Sequence, residues 1–192
     1  MAGILKVDKI QTPDGSGNIE VPTGYKVAGT DAKSIYAPGM IINVVSATKT
    51  DSQDFSMSDS FADITGLSLS ITPKATNSKI MLWCNISHSS TQNNSGISFK
   101  VLRDSTALGG SDGSRTSVSF FGGPVAADNN MAQTTGWNYL DSPNTTSAIT
   151  YKVQCTLFNA GQTFWVNTNL SRGGQAYDDI ATSTITAMEV AQ

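Results

Sequence analysis

At 192 residues the chain can enclose one sizeable core and still carry an appendage. Only 14 % of its residues are charged and the net charge is −3, with Lys and Arg scattered, so no basic patch exists to neutralise phosphates and nucleic-acid binding is not expected. No apolar run approaches the roughly 20 residues that cross a bilayer, and no basic stretch followed by an apolar one opens the chain; a soluble, unprocessed protein without membrane insertion is the expectation.

Residues 1–39 read as a thin, Gly-punctuated stem. Ile4, Leu5 and Val7 form one short apolar piece, Ile19 and Val21 a second, Tyr25 and Val27 a third. Pro13, Pro22 and Pro38 forbid helix and cannot donate ladder hydrogen bonds, which leaves edge-like strands of a few residues. Such pieces cannot bury themselves. They imply an extended, β-prism-like stem whose edges pair between copies of the chain, and an intertwined trimer would bury its few apolar side chains on a common axis. Ile4, Leu5, Val7 and Ile10 are the candidates for docking onto a larger assembly, because an apolar N-terminal piece without its own core is stable only against a partner.

From 40 to 192 the pattern becomes repeated strict alternation. The run 40–45 is nearly all apolar and predicts a strand covered on both faces. Leu67, Leu69 and Ile71 alternate with Ser68, Ser70 and Thr72, the signature of a half-buried strand. Ile80, Leu82, Cys84 and Ile86 repeat it, as do Ile97, Phe99 and Val101, and then Ile149, Tyr151, Val153, Cys155 and Leu157. Further strands fit 164–170 and 182–190. No segment reads as helix. About eight strands between Gly, Asn, Asp and Pro turns predict an all-β head, an antiparallel jelly-roll β-sandwich. Two long polar connections, 105–115 and 122–136, are the places where binding would sit on such a scaffold.

Chemistry-bearing motifs are sparse. The single histidine, His88, stands at the polar end of its strand with no second histidine and no carboxylate beside it in sequence, so neither a hydrolytic triad nor a zinc site follows. Cys84 and Cys155 fall in phase with core residues and read as buried thiols, with pairing left open. No phosphate loop, nucleophile elbow or paired-carboxylate motif occurs. The expectation is a protein with no catalytic residues, no metal and no cofactor. Trp137, Tyr139, Trp165 and Tyr177 are the candidates for interface or receptor contacts. Trp165 alternates with Phe164 and Val166 and so would face outward if those two face the core. The phase of Trp83 stays open.

Several phrases carry a resemblance. Leu5-Lys6-Val7-Asp8-Lys9-Ile10-Gln11, Gly17-Asn18-Ile19-Glu20-Val21-Pro22-Thr23-Gly24 and Ala37-Pro38-Gly39-Met40 look like the N-terminal segments of virion fibre-type proteins of tailed phages, particularly those of cyanobacteria. Ile71-Thr72-Pro73-Lys74, Ser78-Lys79-Ile80, Leu102-Arg103-Asp104, Leu140-Asp141-Ser142-Pro143, Tyr151-Lys152-Val153 and Met188-Glu189-Val190 look like the jelly-roll heads that end such proteins, related in shape to tumour-necrosis-factor-like trimers. The resemblance implies a non-enzymatic homotrimeric virion component, with 1–39 attached to the particle and 40–192 projecting toward a host surface glycan or protein. Its other partners would be virion proteins of the tail or capsid. A 39-residue stem is short for a long fibre, which keeps capsid decoration as the alternative; a polysaccharide depolymerase ranks below both.

Overall fold

The computed structural model describes residues 22–23, 37–56, 60–90, 96–110, 112–122, 132–157, 163–169 and 179–192. The chain divides into two units, 1–35 and 36–192, and nearly all of the described residues belong to the second. The docking candidates Ile4, Leu5, Val7 and Ile10, and with them all of the stem but residues 22–23 and 37–39, lie outside the described residues, as does Tyr177.

Eleven strands build the second unit: β1 (Ile41–Lys49), β2 (Gln53–Ser56), β3 (Ala62–Ile71), β4 (Lys79–Ser90), β5 (Ile97–Arg103), β6 (Thr106–Leu108), β7 (Phe120–Gly122), β8 (Gln133–Asp141), β9 (Ile149–Leu157), β10 (Thr163–Val166) and β11 (Ser183–Val190). All pairings are antiparallel and no helix occurs among the described residues. One sheet holds β1, β2, β4, β8, β10 and β11; the other holds β3, β5, β6, β7 and β9. The strands β1 and β2 run end to end beside β11 and β10, which both pair one edge of β4 while β8 pairs the other. In the second sheet β3, β9 and β5 lie side by side, and β6 and β7 share the far edge of β5. Counting β1/β2, β6/β7 and β10/β11 as one segment each, this is the strand order of a jelly-roll-like β-sandwich.

The alternating residues do what their period dictates. Leu67, Leu69, Ile71, Ile80, Leu82, Cys84, Ile86, Phe99, Val101, Tyr151, Val153, Cys155, Ile185 and Ala187 meet in one core. Both cysteines are free and buried. Burial pushes the Cys84 thiol up to about 12, and it raises Cys155 too, with the Asp63 carboxylate adding to the effect. Neither is a nucleophile in this setting.

Four expectations need correction. The run 40–45 is not covered on both faces: β1 is a border strand, and Ile41 and Val44 stay more than half exposed. The strand expected over 164–170 stops at Val166, because Asn167 takes a left-handed φ of 64°. The expected connection 122–136 is shorter, since β8 already begins at Gln133, and β6 interrupts the connection 105–115.

Candidate functional site

The site with the clearest geometry is the outer face of the first sheet, where the residues out of phase with the core meet in register. Val44 on β1 pairs with Met188 on β11, Met188 with Met81 on β4, and Met81 with Leu140 on β8. Four apolar side chains thus stand in one row across four strands, on the side away from the core. The adjacent row is Ser46, Thr186, Trp83 and Asn138. Trp83 is 51 % exposed, Val44 57 %, Leu140 49 %. Met40 and Ile41 extend the apolar strip at the start of β1. Trp83, Asn85, Thr184, Thr186 and Met188 enclose a shallow groove of about 300 Å³. On the outer face of the other sheet, Asp63, Lys152 and Gln154 form an ion pair and a hydrogen bond, at 2.9 and 2.7 Å. A row of exposed apolar side chains across four strands is suited to covering.

The expected contact residues are distributed differently. Trp137 and Tyr139 lie on the inner side of border strand β8, in register with Cys84 and Leu82. They end an aromatic stack: Tyr139 on Trp137 with centroids 5.3 Å apart, Trp137 on Phe120 at 5.8 Å, Phe120 on Phe99 at 4.8 Å. Trp137 is half-buried against the core, and Tyr139 is the more exposed of the two. Trp165 is 9 % exposed although Phe164 and Val166 on either side face the core; the alternation correctly separated it from the core but not from cover, so it is not an open contact residue in this chain. The sequence reading left Trp83 open and passed over Met81, Leu140 and Met188. For Met81 and Met188 the signal was present, since each alternates with core residues on a strand already identified; Leu140 lies on β8, which the sequence pattern did not reveal.

His88 is not solvated at a polar strand end. It is fully buried, with ring centroids 5.4 Å from Phe99 and 6.0 Å from Phe164, and its Nε2 lies 2.9 Å from Thr135 Oγ1. Nδ1 has no partner. Burial lowers its pKa to about 4, so the ring is neutral at pH 7. Among the described residues no three His, Cys, Asp or Glu side chains converge as metal ligands.

The phrases that carry the fibre-like resemblance converge on scaffold. Arg103 Nη1 donates to both carboxylate oxygens of Asp141 at 2.8 and 2.9 Å, and Tyr151 Oη donates to Asp141 Oδ2 at 2.7 Å. Asp141 belongs to one sheet, Arg103 and Tyr151 to the other, so a buried charge-assisted bond joins the two sheets. Burial and the Asp141 carboxylate hold the Tyr151 phenol protonated, well above its ordinary range. Nearby, Lys79 Nζ donates to Ser142 Oγ at 2.7 Å, and the Lys74 amide donates to buried Glu189 at 2.5 Å. These residues hold the sandwich together.

No protein-family model matches the chain, and no characterised protein matches it in sequence. Among solved structures it is similar to infectious bursal disease virus, Gt strain, with TM-score 0.45, 13 % identity and 90 % of this chain covered. It is likewise similar to the VP2 subviral particle of infectious bursal disease virus, with TM-score 0.44, 12 % identity and 90 % coverage. The chain spans less than half the length of these proteins, 47 % and 46 % respectively.

Proposed function

We propose that this chain is a non-enzymatic virion structural protein: a homotrimeric, fibre-like appendage whose N-terminal segment docks on a phage particle and whose jelly-roll head projects from it. The observation that carries the proposal is the apolar row Val44, Met188, Met81 and Leu140 with Trp83 beside it. Apolar area returns roughly 25 cal/mol per Å² on leaving water, so a face of this kind favours packing against other copies of the chain around a common axis. The trimeric stoichiometry and the particle location follow from the resemblance of the N-terminal and head phrases.

The test is the mass of the full-length protein in solution by light scattering, together with the variant Met81→Glu/Met188→Glu. Both side chains project away from the core, so the doubly charged variant should fold. A trimer that falls to monomer in the variant supports the proposal. A wild-type monomer, or a trimer indifferent to the two charges, overturns the association through this face.

A further inference from the structure

The outer face of the second sheet carries a pocket that the self-association reading does not use. Phe121 on β7, Ser98 on β5 and Thr156 on β9 stand in one cross-strand row facing outward. Phe61, just before β3, stands beyond Thr156. The connection between β6 and β7 supplies Arg115, Thr116 and Val118, and together with Leu157 these side chains enclose about 470 Å³. That volume lies within the range of small-ligand sites.

The pocket has a floor, walls and a charged rim. Its floor is formed by Ser98 and Thr156. Its walls are the rings of Phe61 and Phe121, the latter 60 % exposed and so far from a core role. The Lys100 ammonium sits 3.7 Å from the Phe61 ring centroid and steadies that ring. At the rim the Arg115 guanidinium is 83 % exposed and pairs with Asp112 at 3.4 Å; an exposed pair of this length contributes little and exchanges readily. Asp63, one row along the same face, is already engaged by Lys152 and Gln154.

We infer that this pocket binds a glycosyl unit bearing a carboxylate, as at an acidic surface polysaccharide. The C–H face of a pyranose is apolar and flat enough for an aromatic wall, its hydroxyls match the Ser98 hydroxyl on the floor, and a carboxylate on the ring matches Arg115 in charge and in bidentate geometry. An uncharged sugar leaves Arg115 unused, and a purely aromatic acid leaves the hydroxyl floor unused. The inference rests on the pocket alone and does not depend on how many copies of the chain associate. In a trimer, three such pockets would act together and raise avidity without new contacts.

The experiment titrates the full-length protein with methyl β-D-glucuronide and, separately, with methyl β-D-glucoside, followed by amide chemical shifts and calorimetry. The expected result is saturable glucuronide binding on the order of 1 mM, the weak affinity of a single sugar, with shifts at Ser98, Thr116, Phe121 and Thr156. The glucoside should bind about tenfold more weakly. Phe121→Ala should weaken glucuronide binding about fivefold, and Arg115→Gln should erase the preference for the charged sugar. Both side chains are exposed, and unchanged thermal unfolding checks that the variants are folded. Absence of saturable binding, equal affinity for the two glycosides, or glucuronide binding indifferent to both variants would overturn the inference. Because this readout is sugar binding and not mass, its failure leaves the association test untouched.

Discussion

At the scale of single residues, two buried polar side chains decide more than their neighbours in sequence suggest. His88 is neutral in the fold, and its pKa falls from an ordinary 6.5 to about 4 through burial. The unfolded chain therefore takes up the proton first as pH drops. Stability is complete above pH 6.5 and declines between 6.5 and 4, by about 3 kcal/mol for a shift of this size. Burial raises the Asp63 pKa, but hydrogen bonds from Gln154 and Lys152 outweigh it, so Asp63 titrates below 3.8 and outside this window. Urea unfolding at a series of pH values should show the decline in the wild type and a flatter profile in His88→Gln. Equal profiles would show that the ring is not held neutral. Asn167 is the other such residue. Its side-chain amide donates to Lys49 O at 2.8 Å and Asp51 O at 3.0 Å, and its carbonyl accepts from Ser183 Oγ at 2.6 Å. Ser183 Oγ in turn accepts from the Ser87 amide at 3.0 Å. One amide thus ties the β1–β2 corner to β4 and β11. Asn167→Ala leaves one buried and one partly buried carbonyl without that donor and should cost about 2 kcal/mol, read as a lower urea midpoint with unchanged slope; a loss under about 0.5 kcal/mol would show that water replaces the amide.

At the scale of elements, the connection between β6 and β7 is closed at its neck by Ser119. Its hydroxyl donates to Leu108 O and accepts from the Val101 amide at 2.7 Å, while the Ser119 amide donates to Phe99 O at 2.8 Å. Gly109 enters this neck at φ 123°, and a Cβ there would lie 2.8 Å from Val118 O and 2.9 Å from Ser119 Cα. Backbone cannot yield as a flexible side chain can. Gly109→Ala should therefore destabilise by about 2 kcal/mol and speed amide exchange at Ser119 and Val101 more than in β4 or β9. Uniform acceleration across all strands would argue that the neck has no local role. This connection was legible as a long polar, Gly-bearing segment and as a place where binding would sit. Its closure was not legible, because the partners of Ser119 are set by strand adjacency. The border position of β1 was missed for the same reason: an apolar run reads alike whether a second layer covers it or not.

At the scale of the whole molecule, the sandwich presents two unlike faces. The apolar outer face of the sheet containing β4 is proposed to meet other copies, and the pocketed outer face of the sheet containing β9 is proposed to meet sugar. The two uses can coexist because the faces lie on opposite sides of one core. Attachment is proposed for the N-terminal segment: Leu5→Asp/Val7→Asp should leave the head folded and its mass unchanged if the head alone associates, yet abolish incorporation into particles. Normal incorporation of that variant would sink the docking role. Of the expected contact residues, Trp137 and Tyr139 share one stack, Trp165 is covered, and Tyr177 lies outside the described residues.

By itself the sequence determined the class of fold, since a two-residue period in Leu67 to Ile71, Ile80 to Ile86 and Ile149 to Leu157 sorts side chains into core and surface without knowledge of neighbours. It also determined that the cysteines belong to the core. Only the tertiary structure decided which outward residues meet. Val44, Met81, Leu140 and Met188 are far apart along the chain, and Phe61, Arg115, Phe121 and Thr156 equally so; register between strands, an interaction of distant backbone groups, brings each set together. The same holds for His88 and Trp165, whose period was read correctly and whose burial depends on what the opposite sheet and adjoining strands place over them.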